Sequence, residues 1–327
     1  MVISKTPVRV SFFGGGTDYP DYYKANGGCV LSTSINKYIY ISVKATEGAA
    51  DFKYRIAYSK LEQCQSVAEI QHPVVRAAIQ HLNIPFGLEI HIISDLPART
   101  GIGSSSSFTV GLYHALYALL GKMVSKEQLA SDAIYLEQTL LQERVGVQDQ
   151  LAAAYGSLNY MIFDENRVEV NPLPIKKERK LALEGNLMMF YTGVSRFASE
   201  ILEEQVKKTK EKQINNELQT IKDMVAEGVS ILTSDRNLDD FGLLLNKAWM
   251  AKRNLSSAIS NPFLDDIYSK AMSAGALGGK LLGAGGGGFF VFYVPQEQQE
   301  SVRKALSEFN EIDFGFENGG SRIIHYN

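Results

Sequence analysis

Residues 96–107 read Leu-Pro-Ala-Arg-Thr-Gly-Ile-Gly-Ser-Ser-Ser-Ser, a glycine–serine loop that runs directly into an amphipathic segment. Phe108, Leu112, Leu116 and Leu119 recur at helical spacing, and Gly121 supplies a stop. The pattern predicts a helix over about 104–120. Such a junction is suited to holding an anion. Gly101 and Gly103, on either side of Ile102, let backbone approach a phosphate with no Cβ in the way. Ser104, Ser105 and Ser106 stand where a helix start offers free N–H groups and the positive end of its dipole. An ordinary serine-capped helix after a flexible loop has the same residues. The Walker A pattern is absent, because no Gly-Lys pair is followed by Ser or Thr. A nucleotide site here would be of another type.

The chain has 327 residues, enough for one large or two smaller domains. With 45% hydrophobic and 21% charged residues it has the composition of a globular enzyme with a normal core. A net charge of −3 argues against a nucleic-acid or membrane surface. The basic stretch Lys207-Lys208-Thr209-Lys210-Glu211-Lys212 follows glutamates and reads as a solvated helix face. Cys29 and Cys64 form neither a disulfide framework nor a metal-ligand spacing, and the histidines at 72, 81, 91, 114 and 325 are scattered. The N-terminus lacks the apolar core of a signal peptide, and no apolar run is long enough to cross a membrane. A cytoplasmic location is the expectation. A homodimer is compatible with such a chain.

Strands are expected at 7–13, 29–45, 52–59 and 86–94, the second with Ile35, Lys37, Ile39, Ile41 and Val43 on one face. A short helix should run from Pro73 to Leu82, and another over 126–142, opened by a capping box of Ser125 and Gln128. A hairpin follows at 157–163 and 167–170. Pro172, Pro174 and the charged run 176–180 mark a boundary, giving domains 1–174 and 175–327. Beyond it come a strand at 187–192, a polar helical region at 196–231 and helices at 239–258 and 262–274. Strand 289–294, helix 296–309 and strand 321–326 complete the chain. This irregular order predicts α+β architecture rather than a doubly wound sheet.

The tract Gly283-Ala284-Gly285-Gly286-Gly287-Gly288 matches G-x-G-x-x-G, but it precedes a strand instead of following one and opening a helix. It is not a dinucleotide fingerprint. Four successive glycines are entropically costly. Either close approach of this backbone to another group or a tight turn accounts for them. A third signal is Pro7-Val8-Arg9-Val10-Ser11-Phe12-Phe13-Gly14-Gly15-Gly16-Thr17-Asp18-Tyr19. These three motifs, in this order over nearly the whole chain, resemble the GHMP kinase superfamily, which includes galactokinase, homoserine kinase, mevalonate kinase and phosphomevalonate kinase. Within it, Phe13–Asp18, Val147-Gln148-Asp149-Gln150, Tyr191–Arg196 and Trp249–Ser256 most resemble the D-glycero-α-D-manno-heptose 7-phosphate kinases.

The resemblance implies a two-domain α+β fold, with an N-terminal domain like the second domain of ribosomal protein S5, a ferredoxin-like C-terminal domain and the active site between them. It implies an ATP- and Mg²⁺-dependent kinase for the anomeric 1-hydroxyl of a heptose 7-phosphate, on a route to GDP-heptose. Another sugar 1-kinase of the superfamily, fucokinase-like or galactokinase-like, and an inactive sugar-sensing protein are the alternatives. Residues 101–106 would cradle the ATP phosphates. Ser105 matches the family's metal-ligating serine, with Ser104 and Ser106 as alternatives. Glu137 would be the second ligand, with Glu143 as its competitor. Asp149 would take the proton of the sugar hydroxyl, and Arg9 would pair with it and stabilise charge on the transferring phosphoryl group. Thr17 and Asp18 would contact sugar hydroxyls. Gly15 and Gly16 stand where galactokinase carries Glu and His, which argues against galactose and lets a different sugar lie against backbone. Gly285, Gly286 and Gly287 belong to the third motif. Arg196, Lys252 or Arg253 would bind the acceptor's existing phosphate.

Overall fold

The computed structural model describes residues 1–46, 48, 51–194, 208, 209 and 214–327. Strands β1 (Val2–Phe13) and β2 (Gly28–Ala45) form a long antiparallel ribbon. The N-terminal half of β2 pairs with β6 (Leu158–Phe163), which carries β7 (Val168–Pro172), and its C-terminal half pairs with β5 (Leu88–Ser94). Beyond β5 lie β3 (Tyr54–Ala57), parallel to it, and β4 (Leu61–Cys64). The pairing of Pro7 with Tyr38 and of Val8 with Ile35 leaves Asn36 and Lys37 as extra residues in β2. This irregularity takes half-exposed Lys37 out of the buried row of Ile39, Ile41 and Val43.

A second, antiparallel sheet has the order β11 (Asn310–Ile312), β8 (Leu187–Tyr191), β10 (Phe289–Tyr293), β9 (Gly278–Leu281). Helices α8 (Asp239–Arg253) and α9 (Pro262–Ser273) bring Trp249 and Tyr268 onto Phe290, with the Trp249 ring edge-on at 5.7 Å. The two halves meet where β1 ends. Phe12 and Phe13 both pack edge-on against Phe241 of α8, at 5.2 and 5.1 Å. Gly228 of α7 (Asn215–Thr233) lies under Phe13, where a Cβ would come within 2.7 Å of the ring. The segment after Phe13 is thus clamped from both halves. The last strand, β12 (Arg322–Tyr326), pairs with β1, so the C-terminal strand belongs to the first sheet.

Several expectations shift. The strand at 52–59 is the shorter β3, and β4, outside that range, is an additional strand that pairs with it. The helix at 126–142 is α4 (Lys126–Tyr135) followed by a π-helical turn, Leu136–Leu140. The helix at 239–258 ends at Arg253, and 296–309 holds only the short α10 (Gln299–Ala305) after a 3₁₀ turn. Helices α1 (Pro20–Asn26), α5 (Gln148–Tyr155) and α6 (Lys177–Gly185), and strands β9 and β11, are additional. β9 escapes pattern reading because Gly278 and Gly279 carry no side chain. Both are required: a Cβ at Gly278 would stand 2.0 Å from the Gly242 carbonyl oxygen, and one at Gly279 2.3 Å from the Phe292 ring.

Candidate active site

The turn after β1 is built on left-handed backbone at Gly14 (φ +86°) and Gly16 (φ +101°). A Cβ at Gly14 would also lie 1.9 Å from the Cys29 carbonyl oxygen. Thr17 is fully buried; its Oγ1 lies 2.8 and 2.9 Å from the carbonyl oxygens of Gly14 and Cys29 and accepts from the Cys29 N–H. That corrects one expectation: the Thr17 hydroxyl closes the turn and is not presented to a sugar. Asp18 accepts hydrogen bonds from the N–H groups of Gly16 (3.0 Å) and Gln148 (3.3 Å). Burial, and then the neighbouring Asp149 charge, raise its pKa to about 6.

Arg9 and Asp149 meet as expected. Arg9 Nε and Nη2 donate to Asp149 Oδ1 and Oδ2 at 2.8 and 2.9 Å, a two-pronged charged pair. Arg9 Nη1 donates to the Gly101 carbonyl at 2.6 Å, and the Arg9 N–H to the Ile102 carbonyl at 3.0 Å. One arginine therefore fixes both the carboxylate and the phosphate loop. Gly103 caps α3 (Ser104–Leu119) in left-handed conformation, and a Cβ there would stand 3.2 Å from Asp149 Oδ2. Ser107 is the first N–H to bond back, to the Gly103 carbonyl, so those of Ser104, Ser105 and Ser106 have no acceptor in the helix. Among the described residues the buried Ser104 Oγ has no hydrogen-bond partner either. Free donors at a helix start plus an orphaned hydroxyl fit an incoming phosphate.

Glu137 is fully buried at the π-helical turn. Its carboxylate accepts from Ser106 Oγ (2.9 Å), Thr109 Oγ1 (2.6 Å) and Gln150 Nε2 (2.5 Å). Among the described residues no Lys or Arg pairs with it. Ser105, the expected ligand, is exposed; a residue one step along a helix turns about 100° away. The serine that touches Glu137 is Ser106, and Glu143 is exposed. An uncompensated buried carboxylate beside a hydroxyl is an all-oxygen donor set that suits Mg²⁺.

The glycine tract is the turn of the β9–β10 hairpin, and it lies on the phosphate loop backbone to backbone. A Cβ at Gly283 would come within 2.3 Å of Gly101 Cα, one at Gly101 within 2.3 Å of the Leu282 carbonyl oxygen, and one at Gly288 within 2.3 Å of the Thr100 carbonyl oxygen. Gly285 faces Ile259 and Gly287 faces Val194 in the same way, while the Gly286 N–H donates to the Ile259 carbonyl at 3.0 Å. Lys252 Nζ donates to the carbonyls of Leu281 (2.9 Å) and Gly283 (2.5 Å), and Lys280 Nζ to that of Phe12 (2.9 Å). Burial pushes both lysines down, Lys280 to about 7, and the nearby Arg9 charge adds to the shift in each. Arg253 is committed to Asp265 at 2.7 Å. Lys252 and Arg253 thus correct a second expectation, because neither is a free cation for the acceptor's phosphate. Arg196 lies outside the described residues.

Residues 69–157 match the GHMP kinases N terminal domain and residues 229–312 the GHMP kinases C terminal domain. The chain is 31% identical to the D-glycero-alpha-D-manno-heptose 7-phosphate kinase of Campylobacter jejuni over 97% of both sequences. The chain is a GHMP kinase. Its fold agrees: the crystal structure of a D-glycero-D-manno-heptose 1-phosphate kinase from Bacteriodes thetaiotaomicron superposes with a TM-score of 0.82, at 25% identity and 100% coverage of both chains. A putative sugar kinase from Campylobacter jejuni follows with a TM-score of 0.70, at 26% identity and coverage of 98% of this chain and 97% of that one. Like the sugar kinases it resembles, this chain is a phosphotransferase with an alcohol group as acceptor.

In this GHMP kinase, sequence reading names Ser106 only as an alternative to Ser105, and it misses Thr109 and Gln150 as partners of Glu137. Ser106 and Thr109 stand at i, i+3 on one face of α3, which is the signal that was there to find. Lys280 was missed too, although it is the one charged residue between Lys270 and Glu297. Burial raises Glu137 to about 7, against an ordinary value of 4.5. Its proton is therefore held more tightly folded than unfolded, and the stability this gives is present at low pH and lost as pH rises through about 7. With metal chelated, the melting temperature of Glu137→Gln should gain on wild type from about pH 5 to about pH 7 and then stay level. A pH-independent difference in calorimetry would contradict this assignment.

Proposed function

We propose that the chain is an ATP-dependent sugar 1-kinase that converts D-glycero-D-manno-heptose 7-phosphate to the 1,7-bisphosphate. The observation that carries this reading is the Arg9–Asp149 pair standing against Gly103 at the mouth of the phosphate loop. Asp149 would accept the proton of the anomeric hydroxyl as its oxygen bonds to the γ-phosphorus and the bond from that phosphorus to ADP breaks. The first turn of α3 would hold the phosphates through the N–H groups of Ser104, Ser105 and Ser106, joined by Ser104 Oγ. Arg9 stands beside the same point and would offset charge on the transferred group. Glu137 with Ser106, or with the exposed Ser105, would hold Mg²⁺, which neutralises phosphate charge when bound. Gly15, Gly16 and Asp18 would border the sugar.

The heptose and its existing phosphate rest on the likeness to the Campylobacter jejuni enzyme. A second reading, a 1-kinase for a sugar without a phosphate, is favoured by one observation: Lys252 and Arg253 are occupied with carbonyl groups and with Asp265. An ADP-release assay across free and phosphorylated sugars separates the two. Turnover restricted to heptose 7-phosphate supports the first reading. Equal or better turnover of an unphosphorylated sugar replaces it with the second.

A further inference from the structure

The three glycines after β1 are not equivalent. Gly14 and Gly16 sit at positive φ, where a side chain is strained. Gly15 does not, and it has room. A Cβ there would meet nothing closer than Ser11 Oγ at 3.7 Å and the Gln148 carboxamide nitrogen at 3.8 Å, which is ordinary contact. No backbone reason excludes a side chain at 15. What its absence leaves is a gap between two polar groups. Ser11 is 5% exposed and Gln148 8%, yet among the described residues Ser11 Oγ and Gln148 Oε1 have no hydrogen-bond partner.

Their placement follows from the elements that carry the chemistry. Ser11 stands two residues after Arg9 on β1, so both side chains leave the same face of the strand. Gln148 immediately precedes Asp149 at the start of α5, and its N–H donates to Asp18. The gap at Gly15 is therefore bordered by neighbours of both members of the Arg9–Asp149 pair. Deeper in the sheet, Ser32 Oγ, opposite Ser11, and Asn159 Oδ1, opposite Ser32, also lack partners among the described residues. Ser32 is fully buried and Asn159 1% exposed, which leaves Ser11 and Gln148 as the pair nearest the opening. Buried polar atoms without partners are costly, and a ligand hydroxyl that both donates and accepts would satisfy both.

We propose that Ser11 and Gln148 form a hydroxyl-reading site for the acceptor sugar, seated against Gly15 and next to the carbon that takes the phosphate. The proposal rests on the sugar-kinase reading above. It assigns specificity to Ser11 and Gln148, and it makes Gly15 a spacer that keeps the gap open. The orphaned atoms cost stability in the free enzyme, so removing them should not unfold it. Side-chain replacement at Gln148 also leaves its backbone N–H bond to Asp18 intact.

Ser11→Ala, Gln148→Leu and Gly15→Ala test the site, with steady-state kinetics on the accepted sugar and on its monodeoxy analogues at each ring position. Wild type should reject one analogue by about 100-fold in kcat/KM, because losing that hydroxyl leaves the site's polar groups unpaired. Ser11→Ala and Gln148→Leu should compress this discrimination at least about tenfold, through KM for the sugar, with KM for ATP unchanged and the melting temperature not lowered. Gly15→Ala should raise KM for the sugar and for every analogue that keeps the read hydroxyl, and least for the analogue that lacks it, since the added methyl fills the gap. Wild-type discrimination that persists in both side-chain variants overturns the hydroxyl-reading site and leaves the kinase reading intact. A wild-type enzyme that phosphorylates no sugar overturns the kinase reading and this site with it.

Discussion

Asp149→Asn should lower kcat by about 10²- to 10⁴-fold, with KM for both substrates moving by only a few-fold. The carboxamide retains an acceptor for Arg9 and nearly the same shape, so the position beside Gly103 survives. What is lost is the group that takes the hydroxyl proton. The expected split, kcat without KM, distinguishes a base from a binding residue. Arg9 is 4% exposed and would lose its charged partner, so a moderate fall in melting temperature should accompany the kinetic loss. Turnover within tenfold of wild type would remove Asp149 from the proton-transfer step.

Gly101→Ala should damage both stability and the donor side of the reaction. The position has φ +81°, which costs an L side chain roughly 1–2 kcal/mol before any contact is counted. The added Cβ would also lie 2.3 Å from the Leu282 carbonyl oxygen and 2.7 Å from its carbon, both backbone atoms that cannot swing aside. The glycine tract and the phosphate loop must then separate, and the Arg9 bond to the Gly101 carbonyl moves with them. The total loss should reach about 2–4 kcal/mol, with KM for ATP raised at least about tenfold. Gly121→Ala is the control. It has φ +69° but open space around it, so it should carry only the conformational cost and leave ATP binding alone. Equal effects at the two positions would refute the close approach as the reason for glycine at 101.

Much of this site was legible in the chain because it depends on local chemistry. The serine loop announces its helix start through glycine followed by small polar residues, and α3 begins at Ser104 as that pattern requires. The pairing of Arg9 with Asp149 was reached through resemblance, since nothing at 9 or 149 points 140 residues along the chain. The glycine tract was read as either a turn or a close approach. It is both, the turn of the β9–β10 hairpin and a backbone surface laid on Gly101 and Thr100. Other features were hidden because tertiary contacts decide them. Thr17 looks like a substrate ligand until the Cys29 strand is beside it. Lys252 looks like a phosphate ligand until the start of the tract passes over its ammonium group. Helix α5 was missed because its eight residues carry too short an apolar pattern to separate from a loop.

Phosphorus NMR of the reaction mixture follows the transfer of a phosphoryl group from ATP to the anomeric oxygen. Heptose 7-phosphate incubated with ATP, Mg²⁺ and the enzyme should yield one new phosphate signal coupled to the anomeric proton, in step with ADP. ADP accompanied only by inorganic phosphate, or a new phosphate coupled to protons at any other carbon, would contradict it.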